Sequence, residues 1–214
     1  EVDFIREGAD FTGYKLVIIP SSLVLKTSSW YALKHYVERG GHLYFSYGGS
    51  WIGSPNPLGP FFIEIFGVSL QDRIAPMPSE EIMFTGDWMG LKGLRLSYPN
   101  TDGASCIEVE LKNAFAVGND RRGNTVLTVN RESGKGAAIL VCHPLEHYLS
   151  LVPDAYLKHE TFRIYNALRK EAGLIEPFSC DSALIEVGLM ENENKNEAIL
   201  ILINHERVNV NSTI

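Results

Sequence analysis

Two short stretches of this 214-residue chain hold residue types that could do acid–base or nucleophilic chemistry. The first is CHPLEHY, Cys142 to Tyr148. A histidine and a carboxylate brought together can serve as base and orienting partner of a catalytic triad, and His143 and Glu146 are the residues for those roles. A base and an orienter are inert without a nucleophile. Cys142 directly precedes His143, and neighbouring strand residues point to opposite faces, so the two are poorly placed to react together. The second stretch is SYGGSWIG, Ser46 to Gly53. A nucleophile elbow is a tight turn of small residues after a buried strand. Ser50, between Gly49 and Trp51, is the hydroxyl nearest to that pattern, and no cysteine stands there. Ser50, His143 and Glu146 therefore form the one candidate triad. A plain tight turn and a strand end bonded to loop backbone account for the same residues without chemistry. His143, Glu146 and His147 could also approach a metal, but no second ligand cluster supports one, and no cofactor is expected. Trp51 and Trp88 lie in loop sequence near this edge. Their flat rings could stack on a carbohydrate, although core or subunit packing explains them more simply.

The elements that must position these groups are clearest from Gly13 to Ser50. Leu16 to Ile19 is an unbroken apolar run closed by Pro20, as expected of a strand covered on both faces. Trp30, Leu33, Tyr36 and Val37 then fall on one helical stripe, with Lys34, Glu38 and Arg39 largely off it. Thr27, Ser28 and Ser29 offer capping hydroxyls. Gly40 and Gly41 mark the helix stop, and His42 to Tyr47 is the next strand. A strand, a helix and a parallel strand make a right-handed crossover unit of an open sheet, whose functional groups gather at the carboxyl ends of its strands.

Further along, Val2 to Arg6 reads as a strand whose connection to the Leu16 strand is too short for a helical crossover. Either those two strands are not sequential parallel neighbours, or an upstream element lies between them. Phe61 to Phe66 reads as a short helix and Asp72 to Met83 as loop. Leu94 to Tyr98 and Cys106 to Leu111 alternate as half-exposed strands. Ala114 to Val117 and Thr125 to Val129 form a hairpin around NDRRGN, and ESGKG leads into a second fully apolar strand, Ala137 to Cys142. Asp154 to Ala172 reads as one long helix stopped by Gly173. From Ala183 the pattern becomes an antiparallel hairpin, LIEVGLM and AILILINH. The expected domains are 1–176, an α/β domain, and 177–214, the start of a small antiparallel β domain.

A net charge of −7 and a pI near 5.4 argue against a nucleic-acid partner, because phosphate binding needs clustered Lys and Arg. No apolar run approaches a membrane span, so no membrane partner is expected. Cys106, Cys142 and Cys180 are well separated and form no CxxC, which points to free thiols in a reducing, cytoplasmic compartment. The chain reads as a fragment of a longer polypeptide.

The strand–Pro–helix–YVERGG–strand pattern of Gly13 to Gly49, with GNTVLTVNRESGKGAAILVCHPLE, resembles the middle, trimerisation domain of family 42 β-galactosidases and related glycosidases. The resemblance runs from about Gly8 to Gly173. It implies a class I glutamine amidotransferase-like (flavodoxin-like) α/β fold: an open, mostly parallel sheet with flanking helices and a lost active site. It implies a non-catalytic assembly role in a glycoside hydrolase, a homotrimer, and an upstream TIM-barrel domain that carries the catalytic carboxylates. Two departures from true amidotransferases agree with this. Tyr47-Gly48-Gly49-Ser50 replaces their elbow cysteine, and His143-Pro144-Leu145-Glu146 has one residue more than their His-Pro-Glu. The alternatives are an active amidotransferase-like hydrolase using Ser50, His143 and Glu146, and a carbohydrate-binding module using Trp51 and Trp88.

Overall fold

The computed structural model describes residues 3–22, 25–47, 59–76, 81–98, 105–151, 160–174, 185–192 and 197–205. The crossover unit forms as read: β1 (Leu16–Ser22), α1 (Thr27–Glu38) and β2 (His42–Tyr47), with β1 and β2 parallel. Trp30, Leu33, Tyr36 and Val37 are the buried face of α1. The cap differs from expectation. Lys26 is the N-cap residue, and no capping side chain of its own serves the helix. The Glu7 carboxylate does so instead, accepting from the Lys26 amide at 2.7 Å and the Ser29 hydroxyl at 2.7 Å. A carboxylate is favoured there by the unpaired amides at a helix start.

Next come α2 (Gly59–Phe66), β3 (Val68–Pro76), β4 (Glu81–Phe84), β5 (Arg95–Ser97), β6 (Ser105–Leu111), β7 (Phe115–Asn119), β8 (Thr125–Asn130) and β9 (Ala137–Val141). The chain continues through α3 (Leu145–Leu151), α4 (Phe162–Glu171), β10 (Ile185–Asn192) and β11 (Glu197–Asn204). The main sheet has seven strands in the order β1-β2-β9-β8-β7-β4-β5. Only β1, β2 and β9 run parallel, and every pairing from β9 through β5 is antiparallel. The sheet is therefore mixed, not mostly parallel. Short turns after β7 and β8 can join only antiparallel neighbours, and those turns set the change. β3 pairs antiparallel with β6 in a separate ladder, and β10 pairs antiparallel with β11.

Four expectations need correction. Asp3 to Arg6 forms no strand. The Asp72–Met83 segment read as loop contributes to β3 and β4. In the long helix read over Asp154 to Ala172, the described helix is Phe162–Glu171, and 152–159 lie outside the described residues. A helix that was not expected, α3, begins immediately after His143-Pro144, where the segment was read as a strand end.

The three parallel strands divide two cores between them by simple alternation. Leu43, Phe45 and Tyr47 of β2 and Ala138 and Leu140 of β9 join α1 and α2 on one face, where Trp30 packs among Phe45, Phe61, Phe62 and Phe66. Tyr44 of β2 and Ala137, Ile139 and Val141 of β9 join α3 and α4 on the other. The two glycine signals, separated by almost a hundred residues, meet in space. The Gly136 amide donates to the Val37 carbonyl at 3.1 Å, and a Cβ on Gly136 would land on the Gly41 carbonyl oxygen. Gly134, at φ +143°, would likewise drive a side chain into the Glu38 backbone. The turn after α1 and the turn before β9 are in backbone contact, and only glycine fits there.

Candidate functional site

The carboxyl ends of β1, β2 and β9 converge on a single carboxylate, that of Glu146 in the first turn of α3. Its Oε1 accepts from the Tyr44 hydroxyl at 2.6 Å and the Tyr165 hydroxyl at 2.9 Å. Its Oε2 accepts from the Ser21 hydroxyl at 3.0 Å and from the Ser46 hydroxyl. An ionised carboxylate offers about four acceptor sites, and four hydroxyls occupy them. The donors come from the end of β1, from β2 and from α4, so one side chain ties three elements to α3.

The surrounding bonds close the network. The Ser21 amide donates to Ser46 Oγ at 2.6 Å, and the His147 amide donates to Ser21 Oγ at 3.1 Å. Both serine hydroxyls thus donate and accept. Ser21 sits at φ +44°, an uncommon conformation for a residue with a Cβ. Its side-chain and amide bonds to the Glu146 cluster hold it there. Tyr44 and Ser46 are fully buried. Burial and the neighbouring Glu146 charge push the Tyr44 hydroxyl well above its ordinary value, so it remains a donor.

This geometry does not pair His143 with Glu146. None of the four donors to Glu146 is His143. His143 is itself buried, at 3 % exposure, and desolvation, opposed in part by the Asp120 charge, pushes its imidazole down to about 4. It is neutral at pH 7, and Glu146 does not orient it. Ser50 and Trp51 lie outside the described residues. Trp88 is 1 % exposed, and its indole N–H donates to Glu171 at 2.8 Å. Glu171 is also gripped by Arg131 through two bonds of 2.6 Å. Burial alone would raise the Glu171 carboxyl, but the Arg131 and Trp88 hydrogen bonds outweigh it and hold it low. Trp88 is thus a core ring with its polar edge satisfied, and it offers no open face to a sugar.

Cys106 and Cys142 are buried free thiols. Burial raises Cys106 to about 11 and Cys142 further, which leaves both protonated and poorly nucleophilic. Among the described residues no group of three or more His, Cys, Asp and Glu side chains is placed to hold a metal ion. His147 is exposed at this rim, and its backbone alone joins the network.

Sequence reasoning reached Glu146 but missed its partners Ser21, Tyr44, Ser46 and Tyr165. One signal was available. Ser46 is a lone small hydroxyl inside the apolar run of β2, two residues from Tyr44 and hence on the same face.

The model of the family described as "Beta-galactosidase trimerisation domain" matches residues 1–156. No curated protein matches the sequence at a significant level. Among solved structures, the β-galactosidase of Bacillus circulans sp. alkalophilus is similar with a TM-score of 0.64 at 22 % identity, over 92 % of this chain and 28 % of that one. The β-galactosidase of Rahnella sp. R3 gives 0.62 at 23 % identity, over 88 % and 27 %. The α-L-fucosidase isoenzyme 2 of Paenibacillus thiaminolyticus gives 0.59 at 17 % identity, over 94 % and 31 %. These identities show a shared fold, and the chain spans less than a third of each of the three.

Proposed function

Because the chain belongs to the β-galactosidase trimerisation domain family, we propose that it serves as the non-catalytic assembly domain of a larger glycoside hydrolase. In this reading a separate domain, a TIM barrel with paired carboxylates, performs hydrolysis, and residues 1–176 join copies of the enzyme into a homotrimer. Residues 177–214, which contain the β10–β11 hairpin, begin a further antiparallel β domain. The sheet is an amidotransferase-like scaffold whose reactive corner has been filled.

The observation that carries the proposal is the saturated Glu146 carboxylate. A catalytic acid or base needs a free lone pair or an exchangeable proton facing substrate, and an orienter needs a free lone pair facing its base. Here four protein hydroxyls take those positions, and the adjacent histidine and both described cysteines are buried in their neutral forms. Among the described residues, no helix is long and apolar enough to cross a membrane. Carbohydrate contact through Trp51 remains a proposal of its own, and Trp88 does not share in it.

The test has two parts. The 214-residue chain incubated with nitrophenyl β-galactoside should give no turnover above buffer. The parent polypeptide should hydrolyse the same compound and have a trimer's mass by light scattering. Turnover by the chain alone, or a strictly monomeric parent, would defeat the proposal.

A further inference from the structure

We draw no further inference here: the strongest candidate, the pair of buried thiols Cys106 and Cys142 where the Ile107 amide of β6 donates to the Cys142 carbonyl just past β9 at 3.1 Å, carries no redox switch, because Cys142 packs with Ile107 in the core beneath α1 and α2 while Cys106, the strand neighbour of Ile107, alternates to the opposite side.

Discussion

Replacing Glu146 with leucine removes the acceptor for four hydroxyls at once. Two of them, Tyr44 and Ser46, are fully enclosed and have no route to water. A buried hydroxyl left unpaired costs ~1–3 kcal/mol, so two cost ~2–6 kcal/mol. Tyr44 and Ser46 donate to one carboxylate and can partly satisfy each other once it is gone, which lowers the net loss to ~2–4 kcal/mol. Ser21 and Tyr165 are nearer solvent and add little, since water can replace the carboxylate. For a chain of this size each kcal/mol moves the melting temperature by ~2–4 °C, so Glu146→Leu should melt ~5–15 °C lower. Glu146→Gln keeps one acceptor oxygen and turns an N–H₂ towards two hydroxyls that can rotate, and about half the loss is expected. Urea unfolding followed by circular dichroism, with the slope against denaturant unchanged, measures both. A Glu146→Leu variant within ~0.5 kcal/mol of the parent sequence, the range of an ordinary surface change, would refute the argument that this carboxylate clasps the sheet edge.

Three further outcomes follow from the same structure. Gly136→Ala should abolish soluble folded protein or cost more than ~3 kcal/mol, because its Cβ meets the Gly41 carbonyl and neither backbone can withdraw; soluble yield and melting temperature report it, and wild-type stability would contradict the crossing. His143 titrates near 4 when folded and near 6.5 when unfolded, so the unfolded chain binds more protons between those values. Its contribution is complete above about pH 6.5 and falls by ~3 kcal/mol as the pH drops to 4. His143→Gln should therefore flatten the urea-midpoint profile between pH 6.5 and 4.5 relative to the unsubstituted chain, and an unchanged slope would contradict a buried neutral imidazole. Arg131→Ala should cost ~2–3 kcal/mol, since it leaves the Glu171 carboxylate, at 6 % side-chain exposure, with Trp88 as its remaining hydrogen-bond donor. Arg131→Lys, which loses the two-pronged grip but keeps the charge, should recover only part of that, and full recovery would contradict the geometry.

The crossover unit was legible because its signals are local. The Leu16 run, the Trp30–Val37 stripe and the Gly40–Gly41 stop each depend on a few neighbouring residues, and all three formed. The mixed character of the sheet was less legible. The β7–β8 hairpin was read, yet its consequence for the sheet was not drawn, because strand order is set by long-range pairing. The prolines of Asp72–Met83 suggest loop, while β3 is stabilised by its ladder with β6, which a local reading cannot see. α3 was missed because Leu145, Tyr148 and Leu149 are too few to establish a helical period. At the site, adjacency in sequence suggested that His143 and Glu146 would pair. The start of α3 between them turns Glu146 towards hydroxyls a hundred or more residues away in sequence, at Ser21, Tyr44 and Ser46, and leaves His143 buried without it. Trp88 lies in a loop as read, but its burial was not legible because its partner, Glu171, lies far along the chain.

The account's central claim is that this domain assembles an enzyme and performs none of its chemistry. Treating the parent polypeptide with a mechanism-based galactoside inhibitor and mapping the labelled peptide by mass spectrometry tests it most directly. The account predicts a single adduct on a carboxylate outside residues 1–214, with every peptide of this chain unmodified. An adduct on any side chain of this chain, above all Ser21, Ser46 or Glu146, would contradict it.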